Sequence, residues 1–193
     1  MKRVGITGGI GAGKSVVCDI FKTLGVPIYN ADQRAKHLMS HDEGLKENII
    51  AVFGEETYLD GKINRDHLAK VVFNSTNQIS KLNLLVHPAV GADFQNWVDD
   101  QNTPYVVKEA ALLIETESYK ELDALISVMA GEDTRVARVI QRDPFRTEGE
   151  IRAILQKQSS DETRLEISDY LIDNNGTKML IPQVLKLHRT FMS

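Results

Sequence analysis

The stretch KRVGITGGIGAGKS, residues 2–15, decides the fold of this chain. Its second half, Gly8 to Ser15, fills every fixed position of the phosphate-binding pattern G-x-x-x-x-G-K-[ST]. Residues 2–7 are typical of a short apolar strand, and residues 15–24 repeat apolar side chains at helical spacing. The glycines therefore lie between a predicted strand and a predicted helix, which is the setting that this pattern requires.

We call Gly8 to Ser15 the phosphate loop. In this setting its backbone N–H groups converge on an anion, and the positive end of the following helix dipole strengthens the attraction. Lys14 would reach the β- and γ-phosphates of a nucleoside triphosphate, and the Ser15 hydroxyl would coordinate the Mg²⁺ that bridges them. The alternative is a glycine-rich structural turn followed by a chance Lys-Ser. The predicted nucleotide-binding residues here are Gly9, Ile10, Gly11, Ala12, Gly13, Lys14, Ser15 and Val16.

Composition limits the class of protein. The chain has 193 residues, enough for one α/β domain with insertions, and its formal net charge of −4 offers no general attraction for nucleic acid or an anionic membrane. The single cysteine, Cys18, excludes an internal disulfide and fits a reducing compartment, where we expect it to be a buried structural thiol. No apolar run approaches a membrane span or a signal peptide. We expect a cytoplasmic monomer or small homo-oligomer that acts on small molecules.

Five apolar segments separated by helical stretches predict an α/β fold with a five-stranded parallel sheet. The predicted strands cover residues 2–7, 26–29, 104–108, 122–129 and 170–172. The region between the second and third strands is too long and too helical for a simple crossover, so it predicts an inserted lobe. Its predicted helices cover residues 44–53, 65–73, 78–86 and 89–98, with a turn at Asp60-Gly61 and Asn64 as a helix N-cap.

Asp32 follows the second predicted strand. The carboxyl ends of strands form the ligand-binding edge of an open α/β sheet, so a carboxylate here would lie near a bound ligand. Alternatively, Asp32 only caps a helix over residues 33–39, a position that Asp favours. Residue order alone leaves both interpretations open.

A segment rich in arginine, residues 133–158, lies between the fourth and fifth strands. Arg138 and Arg142 are four residues apart, so they emerge from one helix face, and Asp143-Pro144 ends that helix. The segment is either a solvated charged helix or a mobile arm that closes over a triphosphate. The second interpretation is favoured in a chain with a phosphate loop, because forked guanidinium donors suit phosphoryl oxygens.

In the order and spacing of these segments, the chain resembles the dephospho-coenzyme A kinase family over nearly its whole length. Only the phosphate loop is shared widely among nucleotide-binding proteins. The other matching segments are Ala31-Asp32, Gly61-x-x-x-Arg65 with Val72-Phe73, Leu85-Val86-His87-Pro88, Leu112-Leu113-x-Glu115, Arg138-x-x-x-Arg142-Asp143, Gln158, and Ile172-Asp173-Asn174-Asn175-Gly176.

The resemblance implies a P-loop kinase fold and a phosphotransferase with an alcohol acceptor. Such an enzyme uses ATP and Mg²⁺ to phosphorylate the ribose 3′-hydroxyl of dephospho-CoA, the last step of coenzyme A synthesis. By resemblance, Asp32 is the general base, and Arg65 and His87 line the acceptor site. By the same resemblance, Lys14, Arg138 and Arg142 are catalytic, and both arginines belong to the lid. Asn174 lies near the adenine.

The resemblance also divides the single domain into sub-regions. Residues 1–32, 103–132 and 167–193 would form the nucleotide-binding core, residues 33–102 the acceptor lobe, and residues 133–166 the lid. The chain departs from the family where Asp-x-Pro, Gln and Asp-Ala-Asp are usual, at Glu109-Ala110-Ala111, Arg135 and Asn30. Glu109 keeps a carboxylate, so a role around the Mg²⁺ through bound water stays possible there.

Two other functions compete with this interpretation. A kinase of another small acceptor, such as a nucleoside monophosphate, would share the loop, lid and sheet. A GTPase-type switch would be non-catalytic or hydrolytic, but the chain lacks an Asn-Lys-x-Asp guanine signature. Its only Asp-x-x-Gly, Asp173 to Gly176, follows the last strand, where a switch segment does not belong.

Overall fold

The computed structural model describes residues 1–73 and 76–193, with only the backbone described at Phe73 and Thr76. It divides into two compact units. The core unit comprises Met1–Asn30 and Gln101–Ser193, and the inserted unit comprises Ala31–Asp100. The elements in chain order are β1 (Lys2–Thr7), α1 (Lys14–Thr23), β2 (Ile28–Asn30), α2 (Ala31–His41), α3 (Glu43–Phe53), β3 (Tyr58–Leu59), β4 (Lys62–Ile63), α4 (Arg65–Phe73), α5 (Thr76–Asp99), β5 (Tyr105–Glu109), β6 (Ala124–Met129), α6 (Glu132–Arg142), α7 (Glu148–Gln156), α8 (Asp161–Ile167), β7 (Tyr170–Asp173) and α9 (Leu180–Met192).

The core unit is built on a parallel sheet of order β2-β5-β1-β6-β7, which confirms the predicted five-stranded parallel sheet. Strand β1 is central, and its last four residues are buried. All five residues of β5 are also buried, including the charged Lys108 and Glu109, as expected for a strand covered on both faces of the sheet. In the register of these strands Ile6 pairs with Glu109, so the start of the phosphate loop and the end of β5 meet at one sheet edge.

Helices α1 and α9 pack into one apolar cluster with the sheet, through Val17, Phe21, Val184 and Phe191. Cys18 belongs to this cluster and is 4% exposed, as expected for a structural thiol. Burial, helped by the nearby Glu109 carboxylate, raises the pKa of the Cys18 thiol well above its ordinary value. The thiol is therefore protonated and unreactive at neutral pH.

The inserted unit contains α2 to α5 and a short β3–β4 hairpin. The hairpin was not predicted, because two-residue strands are too short to show an alternating pattern. Its turn was predicted: Asp60 and Gly61 both have positive φ, at 50° and 75°, as two-residue hairpin turns require. The predicted cap is also present, since Asn64 Oδ1 accepts a hydrogen bond from the His67 N–H at 3.2 Å.

The structure corrects two expectations in the inserted unit: the alternative in which Asp32 is an N-cap, and the break between two helices at Pro88. Helix α2 starts at Ala31, so Asp32 lies inside its first turn and is not the N-cap of a helix starting at residue 33. The predicted helices 78–86 and 89–98 form one helix, α5, with Pro88 inside it. Proline removes one backbone donor, but packing of α5 against α2, α3 and α4 offsets that loss.

The arginine-rich segment forms α6 and α7, and α6 ends at Arg142, directly before Asp143-Pro144, as predicted. Thr147 and Glu150 make a capping box that starts α7. The short helix α8 was not predicted; Ser160 caps it by accepting a hydrogen bond from the Thr163 N–H. Across the described residues, no helix combines the length and apolar character needed to cross a membrane.

Candidate active site

The phosphate loop connects β1 to α1, and its glycines are required by both backbone and packing. Gly11 and Gly13 have φ of 78° and 95°, in the left-handed region that favours glycine. A Cβ at Gly11 would collide with the Arg135 carbonyl oxygen, and one at Gly13 would collide with the Asn174 side chain. Other parts of the core unit therefore pack directly against the loop backbone.

Lys14 and Ser15 occupy the first turn of α1. The Lys14 ammonium donates to the Gly8 carbonyl oxygen at 2.9 Å and also contacts the Gly9 carbonyl oxygen at 3.5 Å. These contacts hold the cation over the loop. Ser15 is exposed at the helix N-terminus, where its hydroxyl is accessible to ligand. This arrangement can bind an anion with backbone donors, a lysine and a helix dipole.

Asn174 makes a hydrogen bond to the loop backbone. It follows β7, and its Nδ2 donates to the Ala12 carbonyl oxygen at 2.8 Å, while its own N–H donates to the Met129 carbonyl oxygen at 2.8 Å. Arg138 Nη2 in turn donates to the Asn174 carbonyl oxygen at 2.9 Å. The structure thus brings Arg138, Asn174 and the phosphate loop together.

The two predicted lid arginines differ in environment. Arg138 Nη1 is buried and has no hydrogen-bond partner among the described residues. Arg142 is exposed and donates to Asp143 Oδ2 at 2.9 Å, which holds the pKa of the Asp143 carboxyl below its ordinary value. The structure therefore places Arg138 against Asn174, which contacts the loop, and it gives Arg142 no such link.

Arg135 was not among the predicted site residues, although it lies against the loop. It is 7% exposed, and its guanidinium lies where a Cβ at Gly9 would be. Its neighbours Val136 and Val139 are also buried, so α6 has an apolar face that contradicts a fully solvated helix. The spacing of Val136 and Val139 indicates a buried helix face. Arg135, four residues before Val139, lies on that face, so its burial could have been predicted.

A buried ion-pair network lies beside Arg135. Arg135 contacts Asp161 at 3.2 Å, and Arg164, which is 2% exposed, contacts Asp161 at 3.1 Å and Glu115 at 3.9 Å. Burial lowers the pKa of Arg164, and the carboxylates of Glu115 and Asp161 oppose that shift. Sequence reasoning missed this network because it depends on α8, which was not predicted.

Two hydrogen bonds hold the segment that follows α7, one to the phosphate loop and one to Glu115. The Ile10 N–H donates to Gln158 Oε1 at 2.9 Å, and the Ser159 N–H donates to Glu115 Oε1 at 2.7 Å. Gln158 belongs to a segment that matches the family, but no role was predicted for it. Its contact with a phosphate-loop amide makes it a site residue.

Glu109 ends β5 at the sheet edge that carries the loop. It is 7% exposed, and its Oε2 accepts a hydrogen bond from Asn30 Nδ2 at 2.6 Å. Asn30 stands where the family often has a carboxylate, so here an amide orients the remaining carboxylate. Within residues 1–73 and 76–193, no group of three or more His, Cys, Asp or Glu side chains could hold a metal by itself.

The predicted acceptor residues lie in the inserted unit. Asp32 is exposed in the first turn of α2, and Arg34, one half-turn later, forms a bidentate ion pair with Asp93 on α5 that fixes α2 in place. His87 is exposed on α5. Arg65 lies on a cavity of about 220 Å³, and the described lining does not include Asp32 or His87. That lining consists of Lys36, Met39, Ile63, Arg65, Leu68, Ala69, Val72 and Leu82.

A phosphate loop between the central strand and first helix of a parallel sheet defines the P-loop folds, and the structures that share the five-stranded form seen here include P-loop kinases. Solved structures share the fold. A protein from Thermus thermophilus superposes with a TM-score of 0.89 at 26% identity, covering 100% of this chain and 98% of that one. A dephospho-CoA kinase from Campylobacter jejuni gives 0.71 at 24% identity, covering 98% and 96%. A shikimate kinase from Acinetobacter baumannii gives 0.52 at 16% identity, covering 100% and 93%.

Sequence comparison identifies the family. The family model described as dephospho-CoA kinase matches residues 2–179. A dephospho-CoA kinase from Bacteroides fragilis is 36% identical over 186 residues, covering 96% of this chain and 90% of the relative. One from Chlorobium chlorochromatii is 38% identical over 182 residues, covering 90% and 85%. The chain belongs to the dephospho-CoA kinase family.

Proposed function

We propose that this chain transfers the γ-phosphoryl group of ATP to the ribose 3′-hydroxyl of dephospho-CoA, giving coenzyme A. The observation that carries the proposal is that two family-matching side chains contact the phosphate loop and a third contacts one of those two. Asn174 holds the Ala12 carbonyl, Gln158 holds the Ile10 N–H, and Arg138 holds Asn174. The phosphate loop alone indicates only a nucleotide-binding protein. Its supporting residues, together with family membership, favour this particular kinase.

On the nucleotide side, the chain's residues bind and position ATP. Lys14 would exchange its contact with the Gly8 carbonyl for the β- and γ-phosphates. The buried Arg138 Nη1 has donor capacity for a phosphoryl oxygen, since no described residue uses it. Phosphoryl transfer needs little covalent help from the protein, so positioning and charge stabilisation are the main contributions expected.

The residues present fit a magnesium ion that is bound mainly through the nucleotide. Ser15 offers an exposed hydroxyl beside the loop, and Glu109 offers a carboxylate at the same sheet edge. Mg²⁺ prefers oxygen ligands and keeps several waters, so one hydroxyl, phosphate oxygens and water satisfy it. When bound, the ion neutralises charge that develops on the transferred group.

On the acceptor side, we propose that Asp32 orients the 3′-hydroxyl and accepts its proton. Asp32 is exposed and therefore accessible to a substrate hydroxyl, and the Arg34–Asp93 ion pair fixes the helix that carries it. Arg65 and Lys36 are the charged side chains in the described lining of a cavity that is otherwise apolar, and their positive charge suits the diphosphate of dephospho-CoA. We retain His87 as an acceptor-side residue from the family resemblance.

A panel of acceptors tests this function. Purified protein with ATP and Mg²⁺ is offered dephospho-CoA, AMP, adenosine, shikimate and water, and phosphoryl transfer is followed by release of the nucleoside diphosphate. We expect dephospho-CoA to give the highest kcat/KM by at least about a hundredfold, a difference of about 2.7 kcal/mol. Comparable rates with AMP, or hydrolysis alone, would favour the competing functions. GTP in place of ATP and omission of Mg²⁺ are parallel arms, and both should lower the rate sharply.

A further inference from the structure

Gln158 is placed at the phosphate loop in a chemically determined orientation. The Ile10 N–H lies 2.9 Å from the end of its side chain. A backbone N–H can only donate, so the atom that faces it must be the amide oxygen, Oε1. The Nε2 amino group, with two N–H donors, therefore occupies the other branch of the amide. Among the described residues it has no hydrogen-bond partner, and it is not a buried orphan.

The backbone around Gln158 is anchored on two sides. Its own N–H donates to the Leu155 carbonyl oxygen at 3.1 Å, which closes the last turn of α7. The next residue, Ser159, donates its N–H to Glu115 at 2.7 Å, and Glu115 contacts the buried Arg164. Gln158 is half-buried. Hydrogen bonds therefore hold the backbone at Gln158 and Ser159, and this backbone positions the Gln158 side-chain amide at the loop.

A phosphoryl oxygen of the nucleotide is a suitable acceptor for a hydrogen-bond donor beside Ile10. The loop N–H groups and Lys14 gather phosphoryl oxygens, and Ile10 precedes the residues that lead into α1. The Lys14 ammonium, which reaches the β- and γ-phosphates in loops of this pattern, contacts the Gly8 and Gly9 carbonyl oxygens directly before Ile10. A donor beside Ile10 would therefore lie at the terminal end of the triphosphate. A neutral amide with two N–H groups can donate to an anionic oxygen at that end without adding charge.

We propose that Gln158 is a further nucleotide-binding residue, which uses Oε1 to hold the Ile10 N–H and Nε2 to donate to the terminal phosphoryl group of ATP. The proposal rests on the proposed function only in that ATP binds the phosphate loop. It requires no particular acceptor, so it is tested by binding alone.

Two substitutions separate this role from a structural one. Gln158→Glu keeps the length and the oxygen for Ile10 N–H, but removes both donors and adds a negative charge. Gln158→Met keeps the length and removes both the oxygen and the donors. A residue that only braces the loop would tolerate Glu better than Met. A residue that donates to the terminal phosphoryl group would tolerate Met better than Glu. The matched control is Gln156→Glu, the same charge change at the exposed last residue of α7.

The measurement is the Kd for ATP and for ADP, each with Mg²⁺ and without acceptor, by isothermal titration calorimetry. We expect Gln158→Glu to weaken ATP binding by about tenfold or more, because it removes a hydrogen bond to a charged group and adds charge repulsion, and ADP binding by less than about threefold. Gln158→Met adds no charge, so it isolates the lost donor; it should show a smaller loss with the same preference for ATP. Gln156→Glu should bind both nucleotides like the unmodified protein.

Equal weakening of ATP and ADP by Gln158→Glu would overturn the proposal, as would unchanged ATP binding or an equal effect of Gln156→Glu. Thermal melting checks that each variant is folded. If Gln158→Glu does not melt cooperatively, Gln158→Met decides the question by itself: a loss confined to ATP supports the proposal, and equal losses contradict it. Failure to phosphorylate dephospho-CoA would reject the proposed function and leave this result standing.

Discussion

The phosphate loop and the inserted unit prepare their ligands in different ways. Around the loop, side chains from distant parts of the core unit already bind its backbone, as Asn174 does at Ala12 and Gln158 at Ile10. In the inserted unit, the candidate residues Asp32, Arg65 and His87 are exposed. The proposed nucleotide-binding loop is therefore held by protein contacts, whereas the proposed acceptor-binding residues are open to solvent. We infer that losses on the acceptor side appear mainly in turnover, and losses at the loop in both binding and turnover.

The largest expected effect is on the acceptor side. Asp32→Asn should lower kcat by roughly 10²- to 10⁴-fold, the range for loss of a positioned general base, while ATP binding and melting temperature change little. Discontinuous assays give kcat, isothermal titration calorimetry gives the Kd for ATP, and thermal melting gives the melting temperature. Asp66→Asn is the matched control, because Asp66 lies in the first turn of α4 as Asp32 does in α2. A fully active Asp32→Asn protein would reduce Asp32 to a helix-dipole residue worth about 0.3–1 kcal/mol.

Next in size is the loss at the loop. Lys14→Ala removes the cation that contacts the Gly8 carbonyl, and should lower kcat/KM by roughly 10²- to 10³-fold, the scale of a single electrostatic group in an active site. Unlike Asp32→Asn, it should also weaken ATP binding. Lys22→Ala, at an exposed lysine near the end of the same helix, should have no such effect. Retention of more than about a tenth of kcat/KM in Lys14→Ala would contradict the role, since that is only about 1.4 kcal/mol.

A third test compares two residues of one helix. Arg138→Lys keeps the charge but removes the planar fork that reaches the Asn174 carbonyl, so kcat should fall by about tenfold or more. Arg142→Lys, at an exposed side chain paired with Asp143, should lose less than about threefold. Steady-state kcat for both variants, with ATP affinity in the absence of acceptor, measures the difference. Equal behaviour of the two variants would remove the distinction that the structure makes between them.

The smallest effect concerns stability of the inserted unit. Gly91 lies inside α5 with open space around the position of a Cβ, and without a positive φ. Gly91→Ala should therefore raise the free energy of unfolding by about 0.5–1 kcal/mol and leave kcat unchanged. Denaturant unfolding measures the first quantity, and the assay of nucleoside diphosphate release measures the second. Gly25→Ala is the contrast: it also meets no atoms, but its φ of 82° is strained for alanine, so stability should fall. A destabilised Gly91→Ala protein would contradict this account of α5.

Several features were predictable because their signals are local. Buried parallel strands appear as apolar runs, so the sheet could be predicted, and the phosphate loop is a contiguous pattern in a strand–helix setting. The turn at Asp60-Gly61 and the cap at Asn64 depend on side chains within a few residues. These features need no knowledge of what packs against them.

Other features depend on tertiary packing and could not be predicted. Residue spacing makes Arg138 and Arg142 equivalent, and only the position of Asn174 distinguishes them. Helix α5 continues through Pro88 because it packs against neighbouring helices, and this packing is not visible in its own sequence. The ion pairs of buried Arg164 require α8, a seven-residue helix with little signal of its own.

The identity of the acceptor atom distinguishes the proposed reaction most directly from the competing functions. Protein is incubated with γ-³²P-labelled ATP, Mg²⁺ and dephospho-CoA, and the products are separated by chromatography and denaturing electrophoresis. The account predicts that the label appears in a compound that co-elutes with coenzyme A and loses its label to a 3′-nucleotidase, with none on the protein. Label released as inorganic phosphate, label on another position of the acceptor, or label covalently on Ser15 would contradict direct transfer to the ribose 3′-hydroxyl.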